Sequence, residues 1–341
     1  MRAILNFGIQ LIQALQSGSP AFDGLMEFIS FLGTIEFYLL LIPLIYWLVD
    51  AQLGLRVLLV LIATDFIGIA FKQLLRQPRP YWVGEVKVLA EETSYGIPST
   101  HASDSLAVWG YLAYRLKTDW VSAVSILLVP LIGLARLYLG VHFPHDVLGG
   151  WLFALTGILL FVKVEARAIS WLKRLSTAGL IGLGFEISMV MVLIGGLIGL
   201  LAASKPDPAA WASYSNQARL ISHYFTLSGA FFGSVAGFVL MRRYARFKAK
   251  GPLLRQVGRY GMGILGLVVI YLALDVLFGL IAGDQTLAGY LLRYIRYASV
   301  AFWATFGAPW MFLKLKLCEI GYERVSSVNT EESIAAAGSL H

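Results

Sequence analysis

The chain has 341 residues, 58% of them hydrophobic and 14% charged, with a mean hydropathy of +0.73 and a formal net charge of +7. A water-soluble globule this apolar could not clothe its surface in polar groups, so the composition excludes that class and points to a polytopic helical membrane protein. Unbroken apolar runs argue against a transmembrane β-barrel, and the single cysteine, Cys318, excludes an internal disulfide or a cysteine-rich metal site.

In residues 1–20, Ile4, Leu5, Ile9, Ile12 and Leu15 recur at helical spacing among Asn6, Gln10, Gln13 and Gln16. That pattern predicts an amphipathic interfacial helix and not a cleaved signal peptide. Apolar runs of spanning length follow near 31–49, 54–75, 99–116, 120–139 and 146–163. After a basic amphipathic stretch from Lys163 to Arg174, others lie near 178–202, 219–241, 260–282 and 288–313. Each is close to the ~20 residues that a bilayer requires, which predicts about nine spans. The last carries Arg293 and Arg296. The expected organisation is a membrane core over 1–165, a transmembrane extension of about four helices over 166–313, and a polar, disordered tail over 314–341. No internal repeat is evident.

Basic residues orient the chain. With the N-terminus and the loops 76–98, 136–146, 203–218 and 283–287 on one side, the other side holds 17 of the 27 Lys and Arg residues. These include the run from Arg242 to Arg259, read as a positive-inside anchor touching anionic lipid and not as a nucleic-acid site. The more basic side is expected to be cytoplasmic, leaving the opposite loops periplasmic, extracellular or lumenal.

Three polar stretches fall at membrane edges on that non-cytoplasmic side. In KQLLRQPRP, 72 to 80, Lys72 lies on the last turn of a span and the prolines place Arg79 in the loop beyond. In GIPSTHAS, 96 to 103, Ser99 is an expected N-cap, leaving the amides of Thr100 and His101 pointing outwards. In ARLYLGVHFPHD, 135 to 146, Pro144 suits a first helical position, with His142 just before the helix and Asp146 within its reach.

Together these groups fit phosphate chemistry. Lys72, Arg79 and Arg136 supply three fixed positive charges, and a helix N-terminus adds amide donors. One histidine can attack phosphorus while a carboxylate on its other ring nitrogen holds the tautomer. The other can protonate the leaving oxygen and then activate water. The cations stabilise the transferring oxygens, so the scheme calls for no metal or other cofactor.

The ordered pattern K-x6-R-P, P-S-x-H, R-x5-H-x3-D resembles the type 2 phosphatidic acid phosphatase superfamily. The resemblance covers roughly residues 30 to 165 and implies a six-helix core, the N-terminal helix plus five spans. It further implies that His142 is the nucleophile, Asp146 its partner and His101 the general acid, with Lys72, Arg79, Arg136, Ser99 and the amide of Thr100 binding phosphate. Two positions depart from the family pattern: Thr100 stands where glycine is usual, and Ala135 where serine often precedes the arginine. The sequence PSTHA and the extra spans look most like the sphingosine-1-phosphate phosphatase branch.

Other polar residues have plainer readings. Arg76, Lys87 and Arg115 read as snorkelling anchors, His145 as interfacial or as a support behind the site residues, and His223 as a helix-packing hydrogen-bonder. Asp104, one turn after His101, is as well suited to orienting it as to structural polarity. Glu36, Asp65, Glu186 and Asp275 are candidate intramembrane acids. The leading functional expectation is hydrolysis of a lipid phosphate monoester of the sphingosine-1-phosphate or phosphatidic acid type. Alternatives are a polyprenyl diphosphate phosphatase, a sugar-phosphate phosphatase, a phosphotransferase using the same histidine, or a phospholipid transporter or scramblase. The expected partners are the lipid substrate and membrane lipids. The extension could serve as a homodimer interface, shape a lipid entrance or bind a second ligand.

Overall fold

The computed structural model describes residues 2–215 and 217–321. Every regular element among them is helical, apart from one antiparallel bridge between Phe247 and Ile320. The amphipathic N-terminal helix α1 (Arg2–Leu15) is present, with Ile12 fully buried. It braces the loops that carry the site. A methyl on Gly8 would meet the Phe143 ring at 2.6 Å, and one on Gly84 would meet Ile9 at 2.3 Å. Gln16, just past its end, donates to the carbonyls of Lys87 and Tyr138 at 2.8 and 2.9 Å and accepts from the Lys87 amide at 2.9 Å.

Helix α2 (Asp23–Phe31) meets the stretch Ile35–Val49 at a bend of 50°. That stretch opens with α3 (Ile35–Leu44), which Thr34 caps, and closes in a π-helical turn, Ile45–Val49. Asp50 then caps α4 (Ala51–Leu75) by accepting from the Leu53 amide at 2.6 Å. Helix α4 ends where Arg76 adopts the left-handed conformation, φ 53°. A short helix α5 (Pro80–Val83) follows the Pro-Arg-Pro segment, as expected of proline at a first helical position.

The next predicted span is three pieces in series: α6 (Thr100–Ser105), a π-helical turn over Leu106–Gly110, and α7 (Tyr111–Leu116). Helices α8 (Asp119–Tyr138) and α9 (Pro144–Leu172) complete the core. The apolar centre lies between α3, α4, the 106–116 stretch and α9, around Tyr38, Val57, Leu61, Tyr111 and Ala154.

In the extension, α10 (Thr177–Ala203), α11 (Ser222–Tyr244) and α12 (Leu253–Gly279) are followed by α13 (Leu287–Phe302), a π-helical turn at Trp303–Gly307, and α14 (Ala308–Lys314). Gly229, Gly233 and Gly237 line one face of α11. Methyls there would lie 2.3 Å from the Tyr294 carbonyl, 2.0 Å from the Ala298 carbonyl and 2.1 Å from Thr305 Oγ1. Small residues four apart let the two backbones touch, the usual device where water exclusion cannot drive helices together. The core docks on this extension through Trp47, whose indole donates to the Ala304 carbonyl at 2.8 Å, and Tyr46, which donates to the Thr305 carbonyl at 2.9 Å.

Six helices are long and apolar enough to cross a bilayer, or seven when the bent 23–49 pair is one span. The predicted spans at 99–116 and 288–313 are not among these six. Both contain a π-helical turn, and both carry polar side chains, His101 to Ser105 in one and Arg293 and Arg296 in the other. Residues 315–321 fold back on the 246–248 segment, with Lys248 donating to Glu319 at 2.7 Å. The rest of the predicted disordered tail, from residue 322, lies outside the described residues.

Candidate active site

The three polar stretches converge where the loops 76–99 and 139–143 meet the starts of α6 and α9. Lys72 is buried on the last turn of α4, and its ammonium donates to the carbonyls of Tyr95 at 2.8 Å and Gly96 at 3.2 Å. Arg79 is fully buried. Its Nε donates to the Ser94 carbonyl at 2.5 Å, and Nη2 donates to Ser94 Oγ at 2.9 Å and the Tyr95 carbonyl at 3.3 Å. Its Nη1 donates to the Val141 carbonyl at 2.8 Å. Backbone carbonyls therefore solvate both cations, which makes a buried, fixed charge tolerable without a full counter-ion. Arg136, on the last turn of α8, donates through Nη1 to Ser30 Oγ at 2.7 Å and through Nη2 to Glu92, while its buried Nε has no partner.

His142 and Asp146 straddle the start of α9. Asp146 Oδ2 accepts from the Phe143 amide at 2.9 Å and lies 3.2 Å from His142 Nδ1. On the other side of the ring, Arg79 Nη1 lies 3.2 Å from His142 Nε2. A guanidinium can only donate, so Nε2 presents its lone pair and Nδ1 carries the proton towards Asp146, a tautomer assigned from the hydrogen-bond network. Burial and then the positive charges of Arg79, Lys72 and Arg136 push the His142 imidazolium well below its ordinary range. The ring is thus neutral, with a nucleophilic nitrogen facing a cation.

Ser99 caps α6, accepting from the Ala102 amide at 3.4 Å, and its own amide donates to the Asp146 carbonyl at 3.0 Å. The starts of α6 and α9 are thereby locked together. Gly150 makes this possible, because a methyl there would lie 2.6 Å from the Ser99 carbonyl. His101, the second residue of α6, lies beside the bend at Gly33. The Thr100 methyl packs beside Gly68 of α4.

Several plainer readings change. Arg76 is no snorkelling anchor: it donates to Asp207, in the stretch after α10, through Nε at 2.9 Å and through Nη2. Tyr95 and Arg219 donate to the same carboxylate, at 3.0 and 2.8 Å. Burial would raise that carboxyl, but hydrogen bonds led by those from Ser215, Arg76 and Arg219 hold it at about 2. Asp104 accepts from Ser103 at 3.4 Å, whereas the carboxylate nearest His101 is Glu92, 3.9 Å from Nδ1. His145 stacks on Phe143 and reaches within 3.5 Å of Asp146 Oδ1. His223 stands exposed at the start of α11. Asp275 pairs with Arg296, and Glu36 and Glu186 are exposed.

Sequence reasoning missed Glu92, Ser30 and Asp207. Their only signal is position, Glu92 in the loop between the first two motifs and the others far away in sequence. Among the described residues no three His, Cys, Asp or Glu side chains gather closely enough to share a metal ion.

Two parts of the chain resemble known families. Residues 53–170 match the PAP2 superfamily, and residues 225–320 match the family described as PAP2 superfamily phosphatase, transmembrane extension. The chain is 28% identical to lipid phosphate phosphatase delta of Arabidopsis thaliana, over 46% of this chain and 41% of that protein. It is 29% identical to glucose-6-phosphatase 3 of Bos taurus, over 53% of this chain and 60% of the relative. With sphingosine-1-phosphate phosphatase 2 of Mus musculus it shares 32% identity, over 42% of each. The chain thus spans roughly half the length of these relatives. A crystal structure of a transmembrane PAP2 type phosphatidylglycerolphosphate phosphatase from Bacillus subtilis overlaps 49% of this chain and 88% of its own, at 25% identity and a TM-score of 0.44.

Proposed function

From a chain that carries a PAP2 superfamily domain followed by the PAP2 transmembrane extension, we propose a multi-pass membrane phosphohydrolase that cleaves a lipid phosphate monoester through a phosphohistidine. The observation that carries this reading is the orientation of His142, with Nδ1 towards Asp146 and the Nε2 lone pair beside Arg79.

In the first step Nε2 attacks phosphorus, an N–P bond forms and the ester P–O bond breaks. His101, held neutral in the empty site by burial and then by Arg136, takes up a proton from the incoming phosphate monoester and gives it to the departing alkoxide. The phosphorylated imidazole is cationic, and Asp146 balances that charge through Nδ1–H. In the second step the now neutral His101 removes a proton from water as the oxygen attacks phosphorus. The N–P bond breaks, inorganic phosphate leaves and His142 returns to its neutral form. Lys72, Arg79 and Arg136 stabilise the oxygens of the transferring group in both steps, the contribution on which phosphoryl transfer chiefly depends. Ser99 and the Thr100 amide join them at the start of α6. These charges are built into the protein, so turnover is expected to persist in chelator.

Substrates of the sphingoid-base phosphate or phosphatidic acid type are favoured because two of the relatives are a lipid phosphate phosphatase and a sphingosine-1-phosphate phosphatase. A sugar phosphate is the second reading, on the strength of the longer match to glucose-6-phosphatase 3. The basic-residue asymmetry favours a periplasmic, extracellular or lumenal site. The test is phosphate release from purified protein in excess EDTA, over a panel of sphingosine 1-phosphate, phosphatidic acid, phosphatidylglycerol phosphate, undecaprenyl diphosphate and glucose 6-phosphate. Release that vanishes in His142→Ala supports the histidine mechanism, and the fastest substrate identifies the branch. Release surviving in that variant refutes it.

A further inference from the structure

The cation ring already holds an anion of the protein's own. Tyr81 fixes the backbone of Glu92, donating to its carbonyl at 2.9 Å and accepting from its amide at 3.3 Å. From there the Glu92 side chain reaches inward. It is hydrogen-bonded to Arg136 Nη2, lies 3.6 Å from Arg79 Nη2 and lies 3.9 Å from His101 Nδ1. Burial would raise its carboxyl, but Arg136, Arg79, His101 and Lys72 hold it at about 2, so it is charged at any physiological pH.

The fit of this anion is incomplete. Guanidinium binds oxyanions best through its Nε–Nη2 edge, with two parallel hydrogen bonds. Glu92 takes Nη2 alone and leaves the buried Nε of Arg136 unpartnered. Arg79 differs, since carbonyls of the site loops satisfy most of its donors. The open donor edge is therefore that of Arg136, and Glu92 stands on half of it.

We propose that Glu92 is an internal competitor, a tethered carboxylate that occupies the phosphate cradle and must be displaced by every incoming anion. The idea rests on the phosphate-site reading above. An internal competitor weakens all ligands by the same factor, the fraction of time it leaves the cradle open. The factor matters because ligands differ in intrinsic strength. A dianionic phosphate monoester gains more from three cations than the carboxylate it displaces, and it still binds. A monoanionic phosphodiester gains no more than the carboxylate and is held below useful occupancy.

The experiment compares the full-length wild type, Glu92→Gln and Glu92→Asp, in detergent at fixed ionic strength. It measures inhibition constants for dimethyl phosphate, a monoanionic diester, and for inorganic phosphate. Phosphate binding by thermal shift in the His142→Ala background is recorded in parallel. With Gln at 92, both constants are expected to fall by about ten- to a hundredfold, the worth of one charge-assisted hydrogen bond. The Asp variant, whose carboxylate is drawn back by one methylene, falls part-way and decides the matter if the Gln variant does not fold. Constants that stay put or rise in the folded variants overturn the proposal, and a lower kcat alongside them would make Glu92 a positioning partner of His101. If the wild type binds no phosphate and its hydrolysis is absent or survives in His142→Ala, the site reading itself fails and this inference falls with it.

Discussion

His142 Nδ1 and Asp146 Oδ2 lie 3.2 Å apart across the first turn of α9, and the same carboxylate oxygen accepts from the Phe143 amide at 2.9 Å. One oxygen thus fixes both the ring tautomer and the backbone that presents the ring. Asp146→Asn offers an amide that can turn its NH2 towards either group, which breaks this double acceptance. Turnover is expected to fall by about a thousandfold or more, as when a carboxylate that orients a catalytic imidazole is replaced by an amide. Steady-state phosphate release, with a thermal melt to show folding, checks it. A loss of only a few fold would mean that Asp146 does not set the tautomer.

Arg136 presents a fork, and lysine would present a point charge. Arg136→Lys keeps the charge but cannot reach both Ser30 and the phosphate. The expected result is a KM raised by about ten- to a hundredfold, the loss of one charge-assisted hydrogen bond. An unchanged KM would show that charge alone suffices there.

Asp207 links the extension to the site. It accepts from Tyr95, whose carbonyl in turn accepts from Lys72 and Arg79. Its folded pKa of about 2 lies below the ordinary carboxylate value of 3.8. A depressed carboxyl contributes stability that is fully present above the ordinary value and is lost as pH falls through the folded one. The contribution is on the order of 2 kcal/mol. The wild type should therefore melt above Asp207→Asn at all pH values above about 4, with the gap closing towards about pH 2. A gap that persists at the acid end would locate the effect elsewhere.

Two glycine substitutions should separate close packing from open helix surface. A methyl at Gly150 meets the Ser99 carbonyl at 2.6 Å, a backbone atom that cannot step aside, while nothing lies within 4 Å of one at Gly182. Gly150→Ala is expected to lower stability by about 1–3 kcal/mol and to reduce activity by parting α6 from α9. Gly182→Ala should be neutral or stabilising by up to about 1 kcal/mol through helix propensity. Thermal melts and phosphate release on both variants test the contrast, and equal behaviour would contradict it.

The frame of the candidate site was legible in the sequence because local chemistry dictates it. Proline at 144 starts a helix and Ser99 caps one, so helix geometry places Asp146 beside His142 and Ser99 at the start of α6, while the contact between those two helices is tertiary. Lys72 and Arg79 were readable as a pair for the same reason, one on the last turn of α4 and the other past the break at Arg76. Arg76 itself was misread because its partner, Asp207, lies 131 residues away. No local rule distinguishes an anchoring arginine from one that meets a distant carboxylate.

From the sequence alone follow the membrane class, most of the long apolar helices, and the set of motifs that converge. Hydropathy, positive charge and helix-start rules act over a few residues or a single span, so they are written into the chain directly. Only the tertiary structure decides which donors in the site are already satisfied. It puts Glu92 on Arg136, turns Ser30 towards the same guanidinium through the bend after α2, and ties Tyr95 to the extension. Those contacts join segments far apart in sequence, and close packing of whole helices sets their geometry, which no local propensity encodes.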